Sequence, residues 1–220
     1  VDEEDHPLPV ISQSVTDGAF PWIRVGTAIH YFATDCTGLT GNCHQETHPV
    51  QGAVNYIVSS GILPTDRAIH INGFTGVYKE DVSINGTTNA ILKQLNRLEG
   101  GCDRGTGLCD TSDPTQTAIK GSVSVIGTLA GFTLQGLTIK GGVTFTGNAG
   151  ALTVRNVVIE GGTEGGLNVT GQSGPVTIEG VRVANAPNTG IFINNSAAIA
   201  PVTITGSESG NTGDLAGEII

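Results

Sequence analysis

The chain has 220 residues, only 14% of which are charged, and its formal net charge at pH 7 is −10. So few charges argue against a disordered chain, and an acidic surface disfavours nucleic acid as a partner. The sequence contains no run of about 18 apolar residues, so we predict no membrane insertion. The 33 glycines and the abundant threonine, valine, isoleucine and asparagine instead favour short strands joined by tight turns.

The composition divides the chain into three parts. Residues 1–20 are predicted to be an acidic N-terminal tail or linker, because they begin with the sequence VDEEDHPLP. Residues 21–115 are predicted to form an N-terminal cap and the first irregular coils, which carry cysteine-bearing loops. Residues 116–220 contain clear repeats and are predicted to form regular coils.

The predicted cap contains one segment with helical periodicity. Val50–Ser60 has apolar residues at positions 50, 53, 54, 57 and 58, and Gly61 follows in the position of a C-cap. We predict a short capping helix that covers the open end of the first coil, since a solenoid needs such a cap. Ala68–Ile71 and Phe74–Ile84 are predicted to follow as strands.

The four cysteines form two pairs with six intervening residues each: Cys36 with Cys43, and Cys102 with Cys109. An even count in a chain of exported character predicts disulfides, and hence a location outside the cell or at its surface. Three connectivities satisfy this count, of which the two local loops are the simplest.

Two alternatives would use metal ions instead. A zinc site would draw on four side chains with C-x6-C-H-x3-H spacing: Cys36, Cys43, His44 and His48. This spacing matches no common zinc motif. Asp103, Asp110 and Asp113 could hold calcium, but their loop lacks the acidic pattern of a calcium-binding loop and favours ordinary Asx turns. We therefore predict no metal site and no cofactor, with calcium as the alternative.

A repeated unit dominates the chain from Phe132 onward. Each copy begins with an apolar-Thr-apolar stretch and continues with turn residues; the copies begin at Phe132, Leu152, Val176 and Val202. The first three copies then end with two apolar residues separated by one position. A second alternating block follows at Val143, Leu167 and Ile191. Strands this short are stable only when equivalent strands of successive coils hydrogen bond to one another. The sequence thus predicts an all-β parallel β-helix (β-solenoid) rather than a β-sandwich, whose strands run longer.

The repeat also predicts where side chains point. Three inward columns are expected: Leu134, Val154, Ile178 and Ile204; Leu137, Val157 and Val181; Ile139, Ile159 and Val183. One outward column, the candidate ligand face, consists of Thr133, Thr153, Thr177 and Thr203. Flat threonine ladders on β-solenoids can bind ice or crystalline polysaccharide. A threonine ladder also simply satisfies strand propensity and cross-strand hydrogen bonding.

The opening of the chain carries a family resemblance. The matching segments are, in order, Tyr31–Thr34, Cys36 and Cys43, Val50–Val54, and Gly76–Ile84. This order of strand, cysteine-rich loop, helix and strand resembles the start of pectate-lyase-like right-handed β-helix proteins, closest in style to bacterial surface and adhesin proteins. The resemblance covers about residues 30–205 and implies a right-handed β-helix. It implies no particular chemistry, because this fold hosts lyases, hydrolases, adhesins and spike proteins.

An enzyme of this fold would need charged side chains clustered on adjacent coils. The predicted outward columns contain no pair of carboxylates on neighbouring coils. Arg155 with Glu179 and Lys140 with Glu160 are predicted to be surface ion pairs. The spacing of four histidines in the N-terminal half predicts no common face: His30, His44, His48 and His70. We therefore predict no catalytic residues.

The leading hypothesis is a non-enzymatic extracellular protein, a filament, sheath or adhesin-type β-helix subunit. The last copy degenerates at Ser207–Ser209 and the sequence stops at Ile220 without a clear cap. We expect either that the native chain continues, or that it self-associates through the helix end and the N-terminal tail, or contacts neighbouring surface proteins. The alternatives are a polysaccharide lyase or glycoside hydrolase, and a glycan- or ice-binding β-solenoid. Asn85, Asn168 and Asn194 begin glycosylation sequons, which matter only if the source has the machinery.

Overall fold

The computed structural model describes residues 20–37, 42–73, 77–103, 108–161, 166–186, 189–195 and 201–209. The fold is mostly β, as predicted, with 47% of the described residues in strands. Almost all of the predicted N-terminal tail (residues 1–20) lies outside the described residues, as do residues 74–76 of a predicted strand and residues 210–220.

The described residues form eighteen strands and one α-helix. The first elements are β1 (Trp22–Val25), β2 (Ala28–Ala33), β3 (Asn42–Gln45), α1 (Pro49–Ser60), β4 (Ala68–Asn72), β5 (Val77–Tyr78), β6 (Val82–Asn85), β7 (Arg97–Cys102) and β8 (Ala118–Ile119). They are followed by β9 (Val123–Ile126), β10 (Phe132–Ile139), β11 (Val143–Thr146), β12 (Leu152–Ile159), β13 (Leu167–Gln172), β14 (Val176–Glu179), β15 (Arg182–Val183), β16 (Ile191–Asn195), β17 (Val202–Thr205) and β18 (Glu208–Ser209). Short 3-10 turns occur at Leu92–Gln94 and Pro114–Gln116.

The strands form two sheets. The smaller sheet has five strands in the order β16-β13-β11-β9-β6, all paired in parallel. The larger sheet follows the path β17-β14-β12-β10-β7-β4-β1-β2-β3, with β5, β8, β15 and β18 beside it. From β4 onward the chain passes between the two sheets, and strands of successive passes pair in parallel. Antiparallel pairing joins β1 to β2 and to β4.

The strand register confirms the predicted inward columns. Leu134 lies beside Val154, Val154 beside Ile178 and Ile178 beside Ile204, and the first three of these side chains are fully buried. The other two predicted columns are buried as well. Apolar side chains from both sheets join in one continuous core, so the alternating pattern of each strand decides which residues enter it.

The predicted helix is confirmed as α1, which begins at Pro49 and ends before Gly61, a residue in the left-handed conformation with φ of 65°. Its apolar face packs into the core against β2, β4 and β6. The first N–H groups of a helix lack helical partners. Here the buried carboxylate of Glu80 accepts from the N–H groups of Val50 (3.0 Å) and Gln51 (2.7 Å), although burial raises its pKa. No helix among the described residues is long and apolar enough to cross a membrane.

Candidate functional site

One row of side chains crosses the larger sheet on the face opposite the core. The register places its members side by side on nine neighbouring strands, in the order Cys43, Tyr31, Trp22, His70, Glu99, Gln135, Arg155, Glu179 and Thr205. Core residues such as Ile69, Leu98 and Leu134 precede them along their strands, so these side chains point away from the core. We call them the outer row. Polar side chains at its centre are buried, with His70 4% and Glu99 3% exposed.

A β-bulge adds a second group of β7 beside His70. Strand β7 places Glu99 beside His70 but Cys102 beside Asn72, so three residue steps on β7 oppose two steps on β4. Residues three apart on a regular strand point to opposite faces, and the extra residue of the bulge cancels this alternation. Gly101 lies in the bulge with φ of 68°, and a Cβ there would clash with the backbone of the following hairpin. Glu99 and Cys102 therefore both reach the same imidazole.

His70 is held between two carboxylates. Its Nε2 lies 2.8 Å from Oδ2 of Asp66, and its Nδ1 lies 2.8 Å from Oε1 of Glu99. A carboxylate can only accept a hydrogen bond, so each ring nitrogen must carry a proton to bond to its carboxylate. This arrangement therefore holds His70 as an imidazolium. Trp22 stacks on the ring, with centroids 3.9 Å apart. We call Asp66, His70 and Glu99 the triad.

The pKa values of the triad follow from this geometry. Burial opposes the charged form of all three groups, but their hydrogen bonds and opposite charges outweigh it. The pKa of His70 is therefore raised, and the pKa values of Asp66 and Glu99 are lowered. Glu99 also accepts a hydrogen bond of 2.7 Å from Nε2 of Gln135, and Nε of Arg97 lies 3.4 Å from its Oε1.

The triad is poorly suited to acid–base catalysis. A general base must present a free lone pair to a substrate, and both ring nitrogens of His70 are engaged. The side chains of His70 and Glu99 are also shielded from solvent. The arrangement is that of a buried ion network, which holds β4, β7 and β10 together on their outer face.

Both predicted cysteine pairs form disulfides, and the pairing is local: Cys36–Cys43 and Cys102–Cys109. A small apolar cluster on the outer face contains Trp22, Tyr31 and Cys102, with Cys43 and Cys109 packed against it. The cluster thus connects both disulfides to the triad. Two disulfides indicate an oxidising environment.

The first disulfide excludes the zinc alternative at Cys36 and Cys43 in the oxidised protein, because the two sulfurs are bonded to each other. The four side chains of that set also do not bring their ligand atoms together. His44 contacts His30, with Nδ1 of His30 3.0 Å from Nε2 of His44, whereas His48 lies beside Thr47.

The loop of the calcium alternative forms local turns. Asp110 accepts hydrogen bonds from the N–H and hydroxyl of Ser112, and Asp113 accepts them from the N–H and hydroxyl of Thr115. These are the Asx turns that the sequence favours. Asp103 lies in the hairpin closed by the second disulfide, where its N–H donates to the carbonyl of Leu108.

Two of the four histidines lie on a common face that their spacing did not predict. Besides His70 in the triad, His30 and His44 form a pair on β2 and β3, next to Tyr56 of α1. Burial lowers the pKa of both rings, and the charge of His30 lowers that of His44 further. The expectation of no common face is therefore wrong for this pair, because it depended on the pairing of β2 with β3.

The predicted threonine column is aligned in register, in the order Thr133, Thr153, Thr177 and Thr203. The first three are half-buried and the last is exposed. The predicted surface ion pair between Lys140 and Glu160 is confirmed, at 3.4 Å. Arg155 instead donates a hydrogen bond of 3.1 Å to Gln135, on the side away from Glu179.

Sequence reasoning missed the triad, although part of it carries a signal. In Thr133–Gln135 the first and third side chains point outward and the second points into the core. Arg97–Glu99 and Ala68–His70 follow the same pattern, and the register places the three segments side by side. Extending the repeat toward the N-terminus would have placed Glu99 beside His70. Asp66 precedes β4 and carries no periodic signal.

Comparisons with protein family models, curated proteins and solved structures found no match to this chain. The pectate-lyase-like resemblance therefore stays an expectation.

Proposed function

We propose that the protein is a non-enzymatic structural or surface protein built as a parallel β-helix. The observation that carries this proposal is the pairing of the buried ionisable groups. The triad uses His70 and Glu99 in one ion network, and Glu80 binds the N-terminus of α1. Side chains that are paired with one another and shielded from solvent support a scaffold rather than a substrate site.

The strand pairing supports the β-helix. Strands β4, β7, β10, β12, β14 and β17 form one parallel ladder, and the smaller sheet forms a second. The short strands β5, β8, β15 and β18 align with the C-terminal halves of β10 and β12, which gives a third strand position in each pass. Passes stacked in this way correspond to the coils of a solenoid. The right-handed sense comes from the pectate-lyase-like resemblance.

The proposed location is outside the cell or at its surface, and the proposed partners are further copies of the chain or neighbouring surface proteins. The disulfides support the location, since such bonds persist in oxidising compartments. Within the described residues, β16 and β17 each pair on one side only, and Val202 of β17 is 44% exposed. Such strand edges tend to pair with other chains unless they are covered.

Size-exclusion chromatography and electron microscopy over a wide concentration range test the self-association. We expect oligomers or fibres that grow with concentration. Val202→Lys should reduce them by placing a charge at the edge of β17, and Val58→Lys, at a 38% exposed position on α1, is the matched control. A wild-type monomer without fibres at every concentration would rule out this part of the proposal.

Assays on polygalacturonate and related acidic glycans, with and without calcium, test the absence of enzymatic activity. We expect no product above background. Turnover that Glu99→Gln abolishes would contradict the proposal and favour the lyase or hydrolase alternative.

A second candidate function is glycan recognition by the threonine column, favoured by its alignment across four neighbouring strands. Retention on insoluble polysaccharides should fall in a Thr153→Ala/Thr177→Ala variant if this face binds glycan. Thermal hysteresis of the same two proteins tests ice binding. Wild-type protein that is neither retained nor active in hysteresis would dismiss this candidate.

A further inference from the structure

Four side chains with metal-binding atoms meet at the centre of the outer row. Among the described residues, only this group of three or more histidine, cysteine or acidic side chains has all its ligand atoms within 4.8 Å of one another: His70, Glu99, Cys102 and Cys109. Three of the four are buried, and Cys109 is half-buried. Nδ1 of His70 lies 3.8 Å from the sulfur of Cys102 and 3.6 Å from the sulfur of Cys109.

We propose that the reduced protein binds one zinc ion at this group, through the two cysteine thiolates, Nδ1 of His70 and a carboxylate oxygen of Glu99. Tetrahedral zinc, with Zn–S of about 2.3 Å and Zn–N of about 2.0 Å, separates a nitrogen from a sulfur ligand by about 3.5 Å. The two observed separations, 3.6 and 3.8 Å, are close to this value. Thiolate and imidazole ligands favour zinc over calcium or magnesium.

Asp66 already holds the imidazole in the orientation that such a site requires. The Nε2–H of His70 donates to Oδ2 of Asp66 at 2.8 Å, which leaves Nδ1 facing the other ligands. Zinc-bound histidines commonly donate their second N–H to a carboxylate, which fixes the ring and makes the ligating nitrogen more basic. Trp22, stacked on the ring, restricts it further. The imidazole is therefore oriented before an ion enters.

The second disulfide decides whether this site exists. In the oxidised protein the sulfurs of Cys102 and Cys109 are bonded to each other and offer no thiolate. A dithiol reductant transfers two electrons and two protons to this bond, becomes a disulfide itself and leaves two cysteine thiols. Zinc then displaces the two thiol protons and the proton shared by His70 and Glu99. Oxidation by a low-molecular-weight disulfide, which accepts two electrons, re-forms the bond and releases the ion.

The first disulfide is an internal control for the second. Both pairs have a sequence separation of 7, but neither Cys36 nor Cys43 belongs to a cluster of three or more ligands among the described residues. We would reduce the full chain, remove the reductant without oxygen, add zinc chloride, desalt, and measure bound zinc and free thiols. We expect one zinc ion per reduced chain and none per oxidised chain.

Variants and a spectroscopic probe locate the ion. Cys102→Ser/Cys109→Ser should lose the zinc, whereas Cys36→Ser/Cys43→Ser should retain it. Asp66→Asn, a positioning variant, should weaken zinc affinity by about 10–100-fold. Circular dichroism checks that each variant is folded. Cobalt(II) bound to the reduced wild type should show tetrahedral d–d bands and sulfur-to-metal charge transfer from two thiolates.

The wild-type cobalt spectrum tests thiolate ligation without relying on any variant, and the two double-serine variants distinguish the cysteine pairs. A spectrum without thiolate charge transfer would overturn the proposal. Clearly less than one zinc ion per reduced chain, or equal zinc loss in the two double-serine variants, would overturn it as well.

Discussion

Replacing Glu99 with glutamine tests the triad most directly. The substitution keeps the shape of the side chain but turns one carboxylate oxygen into an amide NH2. The amide NH2 then points at either Nδ1–H of His70 or Nε2–H of Gln135, depending on how the amide turns. In both cases two donors face each other and one hydrogen bond is lost. Removing one partner of a buried ion pair costs about 3–5 kcal/mol, and we expect about 3 kcal/mol here because Asp66 still pairs with His70.

Glu160→Gln is the matched control, since it makes the same chemical change in an ion pair whose side chains are 40% and 41% exposed. Such pairs contribute below about 1 kcal/mol. Reversible urea denaturation, followed by circular dichroism, measures both variants. With a slope of about 3 kcal/mol per molar, Glu99→Gln should lower the midpoint by about 1 M. A midpoint no lower than that of Glu160→Gln would refute the reasoning, because the triad would then contribute no more than a surface pair.

Three further predictions concern pH, the core and the helix. The carboxyl groups of the triad have lowered pKa values in the folded protein. Their contribution to the free energy of unfolding is therefore present above their pKa values in the unfolded chain, about 4, and is lost as pH falls through their folded pKa values. The pKa of His70 is raised, so its contribution to the free energy of unfolding is present below about pH 6.5 and is lost as pH rises through its folded pKa. The stability difference between the oxidised wild type and Glu99→Gln should therefore be largest between about pH 4.5 and 6.5. A difference independent of pH would contradict this. Phe145→Ala, in the fully buried core, should cost about 3–5 kcal/mol in urea denaturation, and Thr144→Ala, on the opposite face of the same strand, less than about 1; equal costs would argue against the core assignment. Glu80→Ala should cost about 2 kcal/mol by leaving the first N–H groups of α1 without an acceptor, and an unchanged midpoint would show that water replaces the carboxylate.

The core could be predicted from the sequence because it depends on a local, periodic signal. Alternation along each strand and the recurrence of the unit determine which side chains of Phe132–Ile139 and its later copies point inward. The register aligns these copies without a shift from β10 to β12 to β14 to β17. The helix was predictable for the same reason, since its spacing and Gly61 are both local features.

Only the pairing of His70 with Glu99 follows that periodicity, and the rest of the site could not be predicted because it depends on departures from it. The bulge in β7 moves Cys102 onto the face of Glu99. Gly100 and Gly101 permit a bulge, but glycine is too frequent in this chain for them to locate it. The strand β1 adds Trp22 through an antiparallel pair rather than through the repeat. Asp66 comes from the turn before β4. Unlike the pairing of Glu99 with His70, these contacts join segments that have no sequence relationship to one another.

The outer row also has a role in specifying the fold. Apolar burial is non-directional, so the core alone does not fix how the irregular first coils sit on the regular ones. Hydrogen bonds are directional, and one chain of them runs from His70 through Glu99 and Gln135 to Arg155, crossing from β4 to β12. A slip of β7 by one residue would turn Glu99 to the other face and break the chain at its centre. We infer that the network selects one register where the repeat is weakest, and that the proposed zinc ligands converge there because the adjacent bulge in β7 brings Cys102 to the face of His70.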